Sequence, residues 1–189
     1  MYFCGGIGVG TEVMCYTINK KKQMTQQLET DGLKKNQMVA LFKLYEDYEL
    51  RFKPVWTAVK TLSRFNLRLT FEGGFEVVCT ERQRFLMSNL EWKEAKELTS
   101  EDTFFQVARD PGAGEFEGDF SCDDGDFDMA YVPDDIQRIK LVSAEKLPTD
   151  KCLVLAVPLD YSCDNIVLAN GAVVESVSLT DVNEEGQKL

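Results

Sequence analysis

Apolar residues fall at every second position over much of this chain, the period of a half-buried β-strand. Glu12 to Ile18 predicts a strand, and Met38 to Leu44 alternates as Met, Ala, Phe and Leu. Tyr45 to Tyr48 predicts a turn, and Glu49 to Val59 a returning arm in which Pro54 marks an edge or bulge. Leu67 to Phe71 and Phe75 to Thr80 flank Glu72-Gly73-Gly74, which predicts a hairpin. Further strands are expected at Thr103 to Ala108, Ile136 to Ser143, Cys152 to Val157, Asn165 to Leu168 and Ala172 to Val174. A tight turn is expected at Ala169-Asn170-Gly171. Gln23 to Leu33 and Lys93 to Leu98 predict short helices, the first ended by Asp31-Gly32. Many short strands with little helix predict an all-β fold.

One segment breaks the alternation. Asp110 to Asp128 carries eight acidic residues, four glycines and no basic residue, which predicts a solvated loop over 110–135. The polar segment 178–189 predicts a flexible tail.

Composition narrows the chemistry. The 189 residues fit one domain, placed at 1–177, and 44% hydrophobic content supports one sizeable core. A net charge of -11 argues against a nucleic-acid partner, because phosphate binding needs a cationic surface. The absence of histidine excludes His-based acid–base catalysis, Ser–His and Cys–His dyads, and most zinc sites. Six irregularly spaced cysteines form no Cys-x-x-Cys pair and are expected as small core residues. Met1 to Val13 lacks the basic start of a secretory leader, and no stretch approaches the roughly 20 apolar residues of a membrane span. A reduced, cytoplasmic protein without membrane partner, cofactor or metal is expected.

Four segments, taken in order, point further. Gly6-Ile7-Gly8-Val9-Gly10-Thr11-Glu12-Val13 opens the series. Val77-Val78-Cys79-Thr80-Glu81-Arg82-Gln83-Arg84-Phe85-Leu86 follows, with Trp92, Ala95 and Leu98 behind it. Leu153 to Val157 is the third, and Asp164-Asn165-Ile166-Val167-Leu168-Ala169-Asn170-Gly171, continuing to Val177, is the fourth. Together they span residues 6 to 177 and resemble the motifs of the intein and Hint (Hedgehog/intein) family. The acidic break falls where such domains carry an endonuclease or a loop. The resemblance implies a compact, horseshoe-like all-β fold with pseudo-twofold halves, whose two ends lie close together.

The same resemblance implies autocatalytic splicing, yet the groups that would perform it are replaced. Gly6 stands at the place of the first nucleophile and has no side chain to attack a carbonyl. Thr80 is retained, but Gln83 stands where a Thr-x-x-His motif has histidine. Glutamine donates a hydrogen bond but exchanges no proton near neutral pH, and loss of a general acid costs roughly 10²- to 10⁴-fold. Val154 holds the place of a late aspartate, and Asp164 that of a histidine. Glu175, Ser176 and Val177 stand where His, Asn and a nucleophilic Cys, Ser or Thr are usual. The implied function is a splicing-inactive Hint domain kept as a structural or interaction module or as a relic.

Other chemistries are weighed against it. Cys4, two residues before the expected nucleophile, is the alternative nucleophile of a self-cleaving domain, with the bond after Phe3 as target. The glycines from Gly5 to Gly10 lack the lysine of a phosphate loop. They are expected to let the N-terminal segment pass through a crowded centre. Asp123 to Asp128 lacks the closing glutamate of a calcium loop. Glu175 and Asp164 could pair as acid and base, against the plainer reading of two solvent-facing replacements. The partners considered are host or flanking protein segments, and a basic protein meeting Asp110 to Asp128.

Overall fold

The computed structural model describes residues 6–8, 10–17, 22–27, 37–43, 49–53, 57–63, 66–107, 127–130, 137–147, 150–157, 164–175 and 177–178. The first strands are β1 (Ile7–Gly8), β2 (Glu12–Thr17), β3 (Lys22–Gln27), β4 (Gln37–Lys43), β5 (Glu49–Lys53) and β6 (Thr57–Ser63). Next come β7 (Asn66–Phe71), β8 (Glu76–Thr80), β9 (Arg84–Leu86), β10 (Trp92–Glu94) and β11 (Thr103–Gln106). The chain continues with β12 (Phe127–Ala130), β13 (Gln137–Leu147), β14 (Asp150–Val157), β15 (Asp164–Val167), β16 (Val173–Val174) and β17 (Val177–Ser178). Among the described residues there is one 3-10 turn, Ala95–Glu97, and no α-helix. The fold is all-β, as the alternation predicts.

The strands form two sheets. One runs β11-β13-β7-β8-β1-β14-β17, with β6 also on β14. The other runs β10-β9-β16-β15-β4-β2-β3, with β5 on β4 and β12 on β5. Both feed one core. In β7 the alternation puts Leu67, Leu69 and Phe71 inside, as period-2 side chains require. Phe71, Phe85 and Phe104 meet there, the rings of Phe71 and Phe104 4.9 Å apart and edge-on, and those of Phe85 and Phe104 5.7 Å apart. Val13, Ile166 and Leu168 belong to the same cluster.

Three hairpins share one loop geometry. The residue before each loop both donates to and accepts from the chain four and three residues on: Phe71 with Phe75 and Gly74, Met87 with Glu91 and Leu90, Leu168 with Ala172 and Gly171. Such a three-residue loop needs a left-handed third position. Gly74 (φ +89°) and Gly171 (φ +88°) supply it without steric cost, while Leu90 adopts it at φ 67°.

Some expectations are corrected. Gln23 to Leu33 is expected as a helix, but Lys22–Gln27 is β3, paired residue for residue with β2 from Glu12↔Gln27 to Thr17↔Lys22. A neighbouring strand with open backbone groups overrides the weak helical preference of Gln, Met and Lys. The arm expected over Glu49 to Val59 is two strands, since β5 pairs with β4 and β6 pairs with β14 in the other sheet. Pro54 falls between them in the sequence and lies outside the described residues. Within the helix-like run Lys93 to Leu98, Lys93 and Glu94 end β10 and Ala95–Glu97 forms a single 3-10 turn. Phe127–Ala130, at the end of the acidic segment, is β12 on β5, and Ser178, assigned to the tail, closes β17. The remainder of the acidic segment and residues 179–189 lie outside the described residues.

Candidate functional site

β1 lies between β8 and β14. Ile7 pairs with Cys79 on one side and with Leu153 on the other. One residue before β1, Gly6 meets Thr80. The Gly6 N–H donates to Thr80 Oγ1 at 3.1 Å, and the Thr80 N–H donates to the Gly6 carbonyl at 2.9 Å. Thr80 is buried, so its hydroxyl is committed to holding the Gly6 backbone. A β-carbon on Gly8 would lie 3.1 Å from Val78 Cβ, so the chain passes close enough to β8 to favour glycine there. Thr11 closes the following turn by donating from Oγ1 to the Gly8 carbonyl at 2.6 Å.

β17 occupies the same edge of β14 as β1. Val177 pairs in parallel with Ala156, and Ser178 with Val157. β1 and β17 therefore meet β14 at Leu153 and Ala156, three residues or about 10 Å apart along one strand. Just upstream, Val174 pairs with Phe85 and Ile166 in the other sheet. The chain thus crosses from one sheet to the other between Val174 and Val177.

Gln83 and Glu175 meet at this crossing. Gln83 is buried, and its Nε2 donates to the carbonyls of Arg84 and Glu175, each at 3.1 Å. Its own N–H donates to the Thr80 carbonyl at 3.2 Å, and its carbonyl accepts from the Ala95 N–H at 2.8 Å. The 3-10 turn thereby seats the glutamine. Phe85 points into the core, so the alternation turns Arg84 outward. There it grips the Glu175 carboxylate with two bonds, Nε to Oε2 at 2.6 Å and Nη2 to Oε1. The Glu175 N–H donates to the Arg84 carbonyl at 3.0 Å. The carboxylate hydrogen bond and charge raise the Arg84 pKa against a smaller opposing effect of burial.

The structure brings Gly6 and Thr80 together, and Gln83 with the Glu175 carbonyl; Val154 lies on β14 beside the residue paired with Ile7. Asp164 stands opposite Lys43 in the β15–β4 register, and the Glu175 carboxylate is bound by Arg84. Ser176 and Cys4 lie outside the described residues. The motifs alone do not single out Arg84. Its signal is faint: one of two arginines flanking Gln83, the one on the outward phase of a strand.

The fourth segment is pinned in the other direction. The Ala169 N–H donates to the Glu12 carbonyl at 2.9 Å, and Val13 bridges to Leu168. Gln106 Nε2 donates to the Asn170 carbonyl at 2.8 Å, and the Val107 N–H donates to the Gly171 carbonyl at 2.8 Å. The turn after β15 is thus tied to β2 and β11. Among the described residues, no group of three His, Cys, Asp or Glu side chains could hold a metal ion, and no helix is long and apolar enough to cross a membrane.

The sequence matches no protein-family model and no curated protein. Solved structures are similar along nearly the whole chain. A DnaB intein from Synechocystis sp. PCC 6803 aligns with a TM-score of 0.56 at 17% identity, over 92% of this chain and 100% of that one. The gp41-1 intein aligns at 0.53 and 11% identity, over 92% and 98%. A bacterial intein-like domain from Clostridium thermocellum aligns at 0.54 and 12% identity, over 89% and 98%. At these identities the likeness is one of fold, and together with the strand order above it identifies this chain as having the intein, or Hint, fold.

Proposed function

We propose that this chain is a Hint-fold domain that neither splices nor cleaves itself, and serves as a structural or interaction module. The observation that carries the reading is the buried Gln83 amide. Gln83, at the position where the resemblance expects a proton-donating imidazole, binds the Glu175 carbonyl through its Nε2. An amide N–H orients and polarises that carbonyl but supplies no proton to a departing nitrogen near neutral pH. Gly6 offers no nucleophile, and the Thr80 hydroxyl that faces it is engaged by the Gly6 N–H. The Arg84–Glu175 pair adds a fastening between β9 and the crossing segment.

The meeting of β1 and β17 on one edge of β14 suits a domain seated within, or between, other protein segments. Host or flanking segments are therefore the first partners of this reading, in an intracellular setting. The acidic stretch from Asp110 to Asp128 suits a basic protein surface as a second.

A small thiol tests the reading. The chain is flanked by a peptide at each end and incubated with dithiothreitol. The masses of all products are then measured. No flank should be released; a released flank carrying a thioester, or a cut beside Cys4, would show a surviving acyl transfer and overturn the proposal.

A further inference from the structure

Asn170–Gly171 is the single Asn–Gly dipeptide in the sequence. In a flexible chain this pair is prone to succinimide formation, because glycine presents no side chain to obstruct the attack. The Gly171 nitrogen attacks Asn170 Cγ, and the new N–C bond closes a five-membered ring. Nδ2 leaves as ammonia, taking up the proton given up by the Gly171 nitrogen. Water then opens the ring at either carbonyl, leaving aspartate or isoaspartate.

The fold withholds each group this reaction needs. The Gly171 N–H is committed to the Leu168 carbonyl at 2.8 Å, so the nucleophile keeps its proton. Asn170 Oδ1 accepts from the Ala172 N–H at 3.0 Å, which fixes the side-chain amide away from a free rotation. The carbonyls of Asn170 and Gly171 are held by Gln106 and Val107. Gly171 has no room to turn, since even a β-carbon on it would lie 2.3 Å from the Val107 carbonyl oxygen. Asn170 Nδ2 is buried and makes no hydrogen bond among the described residues. A carboxylate in its place would bury a charged oxygen where no donor waits, which is costly. Isoaspartate would in addition lengthen the backbone inside a loop whose every span is fixed.

We propose that Asn170–Gly171 is a latent succinimide-forming site that the fold keeps unreactive. Its modification follows opening of the turn and then prevents the β15–β16 hairpin from re-docking on β11. Reaction in the folded state is then limited by the open fraction, as amide exchange is.

The test compares rates of deamidation at Asn170 by peptide mapping at mildly alkaline pH. The whole chain is incubated folded, and in parallel unfolded in urea. The folded chain should react slower by about tenfold or more. Gln106→Ala, which frees the Asn170 carbonyl, should fall between the two; the wild-type comparison stands alone if that variant does not fold. Chains carrying aspartate or isoaspartate at position 170 should collect in the unfolded fraction on native separation. Equal rates folded and unfolded, or modified chains that keep the native melting temperature, would overturn the proposal.

Discussion

The buried side-chain amide of Gln83 donates to the main-chain carbonyl of Glu175 at 3.1 Å, joining residues 92 positions apart where the chain crosses between sheets. The contact ties β9 to the crossing segment, with consequences for stability. Gln83→Ala removes the donor to two partly buried carbonyls and leaves a small void. A loss of about 1–3 kcal/mol is expected, measured by urea unfolding.

Glu175→Gln addresses the neighbouring ion pair and should cost far less. The Arg84 and Glu175 side chains are 42% and 30% exposed, so solvent screens the attraction despite its two-bond geometry. A loss below about 1 kcal/mol is expected. It should shrink further in 1 M salt, where the Debye length is about 3 Å. The loss from Gln83→Ala should be indifferent to salt, which separates the two contacts.

Two glycines with nearly the same backbone angle predict different outcomes. Gly74, at φ +89°, has open space where a methyl group would stand, whereas at Gly171, at φ +88°, the same group would meet the Val107 carbonyl oxygen at 2.3 Å. Gly74→Ala should cost about 1–2 kcal/mol, from the left-handed conformation alone. Gly171→Ala should cost that and about 1–3 kcal/mol more from overpacking, and should unlatch the turn from β11. Thermal melts of the two variants check the ordering.

Thr80 makes a prediction at the other end of the domain. Thr80→Val keeps the shape but leaves the buried Gly6 N–H without its acceptor. It should cost about 1–3 kcal/mol and speed amide exchange of Ile7 and its neighbours. Thr80→Ser should retain most of the stability.

Acid stability has an identifiable contributor. Burial of Asp102 raises its pKa, but the Thr99 N–H and the Lys93 ammonium, at 2.9 and 3.0 Å from its two oxygens, outweigh this and lower it below its ordinary value. A depressed folded pKa contributes stability that is complete above the unfolded value, near pH 4, and is lost as pH falls through the folded one. Asp102→Asn should therefore lower stability at neutral pH and flatten its decline below about pH 4. Chemical unfolding as a function of pH measures both.

Much of this fold is legible from local pattern. The alternation over Leu67 to Phe71, the Gly73-Gly74 turn and the Ala169-Asn170-Gly171 turn are short-range features, and each is where the residues place it. Strand β3 is not legible, because Lys22 to Gln27 becomes a strand through the edge offered by β2 rather than through its own preference. The sheet change between β5 and β6 is hidden for the same reason: it depends on β14, about a hundred residues downstream. At the candidate site, the Gly6 and Gln83 replacements are visible as departures from a motif. What Gln83 binds, and that Arg84 answers Glu175, depends on a pairing of β9 with β16 that no local signal encodes.

The proposal that the chain does not process itself is tested directly with a fusion. A small folded protein is fused at each end, and the intact mass is followed for a day, with and without thiol. One unchanged mass in both conditions is expected. A ligated product of the two flanks, or a cut near Cys4 or Ser176, would contradict it.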